Sequence, residues 1–461
     1  MKLNFNSIKD IIYNYKLFLS KKISIKGWVK SFRSNCFIII SDGSTIKNIQ
    51  IYVDKHNCFY SFLKKINIGV SLEVIGVVVF SKGKKQIIEI YANQINIYGS
   101  FNPEDLQKTI LQPKEHSFKK LREQAYLRFR TTIFSSIMRI RHNISFSIHK
   151  FFYKKKFYYI NTPIITTYDT EGAGDMFRVT NLKIPLIGKI NNNLDFFGAS
   201  TYLTVSGQLQ GEAAASGLGK IYTFGPTFRA EKSNTFRHLS EFWMIEPEMS
   251  FYELNNIMYL AEELLKFIIK YVIKHCYEDL YFLEKKNKIF KILYSILDFP
   301  FEKISYTNAI KILKFSKNVK FIYPVIWGAD LQSEHEKFLS EHYFNNRPII
   351  IFNYPLKIKP FYMRLNNDNQ TVAAMDIIFP NIGEIIGGSQ REERYNVLLK
   401  RMIESNLDTK SLWWYLNIRR FGSVPHSGFG LGFERLIQFI TNISNIKDVI
   451  PFPRYQNHAL F

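Results

Sequence analysis

Arg229 and Glu231 stand two residues apart just beyond a strand-like run, Lys220 to Phe224, that breaks at Gly225-Pro226. Arg237, His238 and Phe242 follow across a polar loop, residues 232–240. Side chains two apart on a strand share a face, so these types would line the polar side of a long-looped hairpin. Its second arm is Phe242-Trp-Met-Ile, alternating into Glu246 and Glu248. Such a face suits a polyanion with an aromatic base attached. Arginine clamps phosphate with two parallel hydrogen bonds, a carboxylate accepts from an exocyclic amine, and a ring stacks on a purine for ~1–3 kcal/mol. Phe-Arg-x-Glu taken alone is read more simply as the charged solvent face of an edge hairpin.

Other runs offer chemistry too. Asp376 and Glu384 are oxygen ligands suited to Mg2+ held against a triphosphate, the alternative being an exposed acid pair. Gly387 and Gly388 between them and Arg391 let a backbone approach a ligand closely. His335, between Glu334 and Glu336, has no second histidine at metal spacing and reads as an exposed helix start. The glycine-rich run from Pro425 to Arg435 is no dinucleotide fingerprint, since it lacks GxGxxG with an acid at the usual distance.

The elements that must hold these residues fall into distinct stretches. Residues 1–101 alternate short β-type runs with turns: Ile23–Val29, Cys36–Ile40, the turn Asp42-Gly43, Ile49–Val53, Leu72–Val79 and Gln86–Tyr91, with a helical piece near Asn57–Ile66. Five such strands predict a small barrel of the OB type, a fold that often stacks single-stranded nucleic acid on strand aromatics. Residues 102–130 are interrupted by Pro103 and Pro113 and then turn basic, as a hinge would. From Thr131 the spacing of Ile133, Ile137, Ile140, Ile144, Ile148 and Phe151 is helical, and Phe157 to Ile160 reads as a short strand. A further helix is predicted from Glu253 to about His275, a buried strand over Pro348–Pro355, and adjacent strands at Phe361–Arg364 and Ala373–Ile378.

Composition narrows the class. At 461 residues the chain allows two or three domains. No apolar run is long enough to span a membrane, and the start lacks a secretory signal, so a cytoplasmic protein is expected. Cys36, Cys58 and Cys276 form no CxxC, which speaks against structural zinc or disulfides. The net charge of +23 favours a nucleic-acid partner. The 41 Phe and 27 Tyr, with abundant Lys, Ile and Asn, are also what AT-rich codons produce, so part of that charge is compositional.

In order and spacing, FRAE, a loop with Arg-His, and EF closely resemble motif 2 of the class II aminoacyl-tRNA synthetases of the aspartate, asparagine and lysine subgroup. The flanking GPTF and WMIEPE look like its asparagine branch. The helix, strand and Pro163 of 131–163 resemble motif 1, and the run from Pro425 to Arg435 resembles motif 3. The resemblance implies an α+β protein: an OB-type anticodon-binding barrel (1–101), a hinge (102–130) and a class II catalytic domain (131–461) on an antiparallel sheet flanked by helices, assembled as a homodimer through motif 1. It implies ATP-dependent attachment of L-asparagine to tRNA(Asn) through an asparaginyl-adenylate. An aspartate-charging relative, or a catalytically idle RNA-binding paralogue, is the alternative.

Residue roles follow from the same resemblance. Arg229, Glu231 and Arg435 are the catalytic set; together with His238, Phe242 and Glu384 they bind ATP, and Asp376 and Glu384 hold Mg2+. Glu171, Ser206 and Gln208 meet the amino acid's ammonium side, and Arg391 its side chain. Phe37 stacks on the central anticodon base, a uridine, and Gln50 bonds its edge. Where the aspartate enzymes have a lysine this chain has Gly211, followed by Glu212. Glu212 would accept from a carboxamide NH2 and repel a carboxylate, so asparagine fits and aspartate does not. Ala125-Tyr126 departs from a histidine found in relatives, and Ser216–Gly219 is small and flexible ahead of a core strand.

Overall fold

The computed structural model describes residues 6–461 except 55, 57–62, 64–65, 85, 101, 113, 169–174, 183–193, 288 and 317–318. Contacts divide the chain into Met1–Arg139 with Phe461, and Ile140–Leu460. The division falls within the helix Thr132–Lys154, later than the expected start at 131.

The first unit is built on β1 (Lys22–Arg33), β2 (Phe37–Ser41), β3 (Ile49–Tyr52), β4 (Ser71–Phe80) and β5 (Ile88–Gly99). They close a barrel in the order β1-β2-β3-β5-β4, as expected of an OB fold. In β4 every second residue, Leu72, Val74, Gly76 and Val78, is buried, the period that puts one face of a strand in a core. Two strands outrun their apolar signal. A register shift between Val29 and Ser31 lets β1 continue to Arg33, and β5 runs on through Gln94 and Asn96, whose polar side chains hide it. The helical piece near Asn57–Ile66 lies mostly outside the described residues. A helix that the spacing did not suggest, Ile8–Tyr13, buries Ile8 and Ile11. Ser7 caps it, and the Ile8 amide donates to Asp42 Oδ2 at 2.8 Å, so the Asp42-Gly43 turn also anchors this helix. In the hinge stretch Arg128 is fully buried, its guanidinium 4.0 Å from the Phe134 ring centre.

The second unit carries β6 (Tyr158–Tyr159), β7 (Ile165–Thr166), β8 (Arg178–Val179), β9 (Thr201–Leu203), β10 (Lys220–Phe228), β11 (Glu241–Ser250), β12 (Glu302–Ser305), β13 (Ile349–Pro355), β14 (Thr371–Phe379), β15 (Gly383–Gln390) and β16 (His426–Gly432). Eight of them form one sheet, β12-β13-β14-β15-β16-β11-β10-β6, and β7-β9-β8 a small second one. The expected antiparallel sheet is correct for the six central strands and not for its edges. Both β6 with β10 and β12 with β13 pair parallel, because each pair is joined through intervening helix and so need not reverse direction. The helix Leu254–His275 packs on the sheet with Ile257, Ala261, Leu264, Ile268 and Val272 fully buried at helical spacing. Glu253 begins it with a capping box to Asn256.

The strand expected at Phe361–Arg364 is absent. That stretch makes only an isolated bridge between Met363 and Arg391, while buried Arg401 donates to the carbonyls of Lys359, Pro360 and Met363 and holds them in a turn. Among the described residues no helix is long and apolar enough to cross a membrane.

Candidate active site

Pairing of Thr227 with Phe242 and Phe228 with Glu241 zips β10 to β11 and leaves residues 229–240 as the loop between them. Arg229 and Glu231 are therefore loop residues, and strand alternation does not place them side by side. The loop does: the Arg229 amide donates to Ser240 O at 3.0 Å, and Arg229 Nη1 lies 4.0 Å from Glu231 Oε1. The other oxygen of Glu231 is 3.7 Å from His238 Nε2, and the Arg229 guanidinium sits 5.5 Å above the Phe242 ring. Glu384 from β15, Gly430 and Gly432 from β16, and Arg435 complete the walls of a cleft of about 180 Å3. Arg435 is fixed by donating from Nη1 to Glu384 O at 2.9 Å. Arg237 lines the cleft as well, so it offers three guanidiniums and an aromatic floor, the groups for holding a nucleotide.

Asp376 and Glu384 converge on bare backbone. A Cβ at Gly387 would lie 2.9 Å from Glu384 Oε1 and 3.5 Å from Asp376 Oδ1. The second Asp376 oxygen, Oδ2, accepts from Lys359 Nζ at 2.6 Å. Burial pushes the Glu384 carboxyl up, and Asp376 adds to the push against the pull of Arg435. Among the described residues no three His, Cys, Asp or Glu side chains are grouped to hold a metal by themselves. Two hard oxygen donors in this setting suit a cation that takes its remaining ligands from phosphate and water.

His335 is not exposed. It is 2% accessible, accepts from the Gln332 amide at Nδ1 (3.2 Å), and packs edge-on to Phe321. Its neighbour Glu336, given no role by the sequence, faces the acid pair: burial, then Glu384 and Asp376, push its carboxyl up to about 7. Folded protein therefore keeps this proton between the ordinary glutamate value of about 4.3 and pH 7, where the unfolded chain loses it, so stability falls as pH rises through that window. Glu336→Gln is expected to raise the melting temperature by a few degrees at pH 8 and to leave it unchanged at pH 4, as read by calorimetry.

The amino-acid residues gather around two buried carboxylates of β11. Glu246 accepts from Ser206 Oγ, from the Gly207 amide at 3.0 Å and from Thr223 Oγ1 at 3.1 Å. Glu248 takes Arg391 in a two-pronged pair, Nη2 to Oε1 at 2.5 Å and Nε to Oε2 at 3.2 Å. Burial pushes the Glu248 carboxyl up against the pull of Arg391, and Glu212 and Glu246 add to the upward push. Glu212 is differently placed from the expectation. Its oxygens accept from Gln208 Nε2 (3.0 Å), Tyr415 OH (2.8 Å) and Arg419 Nη2 (2.6 Å) and lie 3.0 Å from His426 Nε2, with no accessible surface on the side chain. It lies on the buried face of the helix Gln208–Leu218, with Gln208, Leu209, Gly211 and Ala215, and so turns inward. With its lone pairs engaged it does not present an oxygen to a substrate carboxamide, whereas Glu248 lies beside both Arg391 and Gly211, whose Cβ would be 3.3 Å from Glu248 Cγ. The cross-strand pairing that brings Glu248 to Arg391 leaves no mark in local sequence. Glu171 lies outside the described residues.

On the barrel, Phe37 is half-buried on the outer face, its neighbours Ile38 and Ile40 pointing inward. It starts a row of three rings, Phe37 to Tyr52 at 5.5 Å and Tyr52 to Tyr91 at 5.7 Å, across β2, β3 and β5. Gln50 shares the outer face and donates to Glu89 Oε2 at 2.7 Å. Tyr52, Tyr91 and Glu89 are functional candidates that sequence reasoning passed over.

A closed five-stranded barrel ahead of a sheet bearing an arginine-lined, aromatic-floored cleft is the arrangement expected of an enzyme that activates a substrate with a nucleotide and hands it to a nucleic acid. Residues 118–456 match the family of class II tRNA synthetases (D, K and N), and residues 23–98 match the OB-fold nucleic acid binding domain. The chain belongs to that synthetase family. It is 51% identical to the asparagine--tRNA ligase of Azobacteroides pseudotrichonymphae over 96% of both chains, and 49% identical to that of Protochlamydia amoebophila over the whole of both. Its fold matches the asparaginyl-tRNA synthetase of Pyrococcus horikoshii complexed with asparaginyl-adenylate at a TM-score of 0.86, with 30% identity, covering 98% of this chain and 99% of that one.

Proposed function

We propose that the protein charges tRNA(Asn) with asparagine at the expense of ATP, through an asparaginyl-adenylate. The observation that carries the choice of amino acid is the buried Arg391–Glu248 pair beside Gly211. A carboxamide has an oxygen that accepts and an NH2 that donates; Arg391 supplies the donor, Glu248 the acceptor, and Gly211 adds no cation that would favour a carboxylate. The roughly half-identical asparagine--tRNA ligases support the same reading.

In this account Phe242 stacks on the adenine and Glu231 accepts from its amino group. Arg229 holds the α-phosphate, and Arg435 with His238 holds the far phosphates. Ser206, Gln208 and Glu246 receive the ammonium of asparagine, and Glu171 meets it too. The substrate carboxylate then attacks the α-phosphorus in line, the bond to pyrophosphate breaks, and the adenylate forms. The terminal ribose hydroxyl of tRNA attacks the acyl carbon and AMP leaves. Asp376 and Glu384 would hold Mg2+, which neutralises phosphate charge when bound. No covalent enzyme intermediate is required, so catalysis rests on positioning and fixed charge.

The barrel reads the anticodon through Phe37 and Gln50. Phe37→Ala is expected to raise the KM for tRNA about 5- to 150-fold, the span of one lost base stack, while tRNA-independent adenylate formation stays at the wild-type rate. A homodimer in the cytoplasm completes the proposal; exposed Tyr158, Tyr159, Ile164 and Ile165 supply an apolar band next to the motif 1 helix for the partner to cover. Incubation with total tRNA, ATP and labelled asparagine should give acid-precipitable label. Label from aspartate and none from asparagine would overturn the assignment.

A further inference from the structure

Beneath the amino-acid pocket lies a polar cluster drawn from three elements outside motif 2. Glu212 comes from the helix Gln208–Leu218, Tyr415 and Arg419 from the helix Trp413–Ile418 and its C-cap, and His426 from the start of β16. All four are buried, and three of them converge on one carboxylate. Arg419 Nη2 reaches Glu212 Oε2 at 2.6 Å and also donates to Tyr415 OH at 2.9 Å. Its Nε donates to Glu392 O at 3.0 Å, which fixes the guanidinium to the segment that follows Arg391.

A cluster serving stability alone would close on itself, and this one does not. Glu212 Oε1 faces two residues of the amino-acid pocket: it accepts from Gln208 Nε2 at 3.0 Å, and Arg391 Nε lies 3.8 Å away. The His426 carbonyl accepts from the Arg391 amide at 2.9 Å. One carboxylate oxygen thus sets the spacing between the group at the ammonium end of the pocket and the group at the side-chain end. The charge count matters as well. Two carboxylates, Glu212 and Glu248, face two guanidiniums, Arg391 and Arg419. With the cations matched one for one, Arg391 is polarised to donate hydrogen bonds yet leaves no surplus positive charge for a carboxylate side chain.

Resting on the reading that asparagine is the substrate, we infer that Glu212 is a positioning residue. Held by Tyr415, Arg419 and His426, it orients Gln208 and Arg391, and its charge is one of the two that exclude aspartate. It acts through those side chains and does not touch the substrate.

The test is ATP–pyrophosphate exchange by the full chain, wild type beside Glu212→Gln and Tyr415→Phe, with asparagine and with aspartate. Glu212→Gln keeps the shape and removes the charge. It is expected to raise the KM for asparagine at least ~10-fold with the KM for ATP within ~2-fold, and to lower the asparagine-to-aspartate ratio of kcat/KM at least ~10-fold. Tyr415→Phe removes a hydrogen bond and no charge, so the KM for asparagine should rise ~3-fold with the ratio unmoved. A purely structural role would lower the melting temperature and leave KM and ratio at wild-type values, which overturns the inference. If Glu212→Gln does not fold, an unchanged asparagine KM in Tyr415→Phe overturns it equally. Wild-type exchange with aspartate in place of asparagine would overturn the functional reading itself, a result distinct from unresponsive variants in an asparagine-specific enzyme.

Discussion

Arg229→Ala is expected to lower asparagine-dependent ATP–pyrophosphate exchange at least about 100-fold, the scale of losing one preorganised charge donor. The arginine is held in place before any ligand arrives: its amide closes the loop onto Ser240, and its guanidinium is set between the Phe242 ring and Glu231. Nothing therefore has to be ordered when charge develops on the α-phosphate. The side chain is one-third exposed, so its removal should barely alter the melting temperature, and the loss should appear in kcat. Arg229→Lys should recover only part of the rate, since an ammonium lacks the planar fork that fits a phosphate. Exchange within a few fold of wild type in Arg229→Ala would remove this residue from the catalytic set.

Gly428→Ala should be equally damaging for a different reason. Gly428 pairs with Glu248 on one side and Ser389 on the other, and a Cβ there would come 2.2 Å from the Glu248 carboxylate carbon and from Oε1. The neighbouring atoms all belong to the Glu248 carboxylate, a side-chain end that is buried and held by its two-pronged pair with Arg391. Glu248 must move, and the buried Arg391 then loses its two-pronged partner. Breaking a buried pair in this way costs about 3–5 kcal/mol, so asparagine-dependent exchange is expected to fall at least about 100-fold, with a lower melting temperature. Glu248 does not line the cleft that holds Arg229 and Arg435, so ATP binding by calorimetry should stay near wild type. Normal exchange with asparagine would show that the Glu248–Arg391 geometry is not what selects the amino acid.

These two residues mark what the sequence could and could not convey. Arg229 was legible because it sits in a contiguous pattern of strand run, polar loop and second strand, although the break expected at Gly225-Pro226 is absent, β10 pairing through both residues to Phe228. The barrel was legible for the same reason, each strand carrying its own alternation. Glu248 was visible as a strand residue but not as a site. Its neighbours Gly428 and Arg391 arrive from β16 and from the end of β15, some 140 to 180 residues later, through pairings that no local period encodes. Glu212 drew attention instead because it follows Gly211, and only the inward turn of its helix shows that its oxygens are spent on Arg419 and Tyr415. Glu336 was hidden likewise, its nearness to Glu384 depending on how the helix Ser333–Lys337 packs beside β15. The turn at Phe361–Arg364 reads as a strand by composition and is held otherwise by one distant side chain, Arg401.

The central claim, an adenylate-forming site built for a carboxamide side chain, is tested most directly by ATP–pyrophosphate exchange without tRNA, offering asparagine, aspartate and lysine separately. Exchange with asparagine alone is the expected result. Exchange with aspartate at a comparable rate would contradict the specificity assigned to Arg391, Glu248 and Gly211, and absence of exchange with all three would contradict the catalytic role of the cleft.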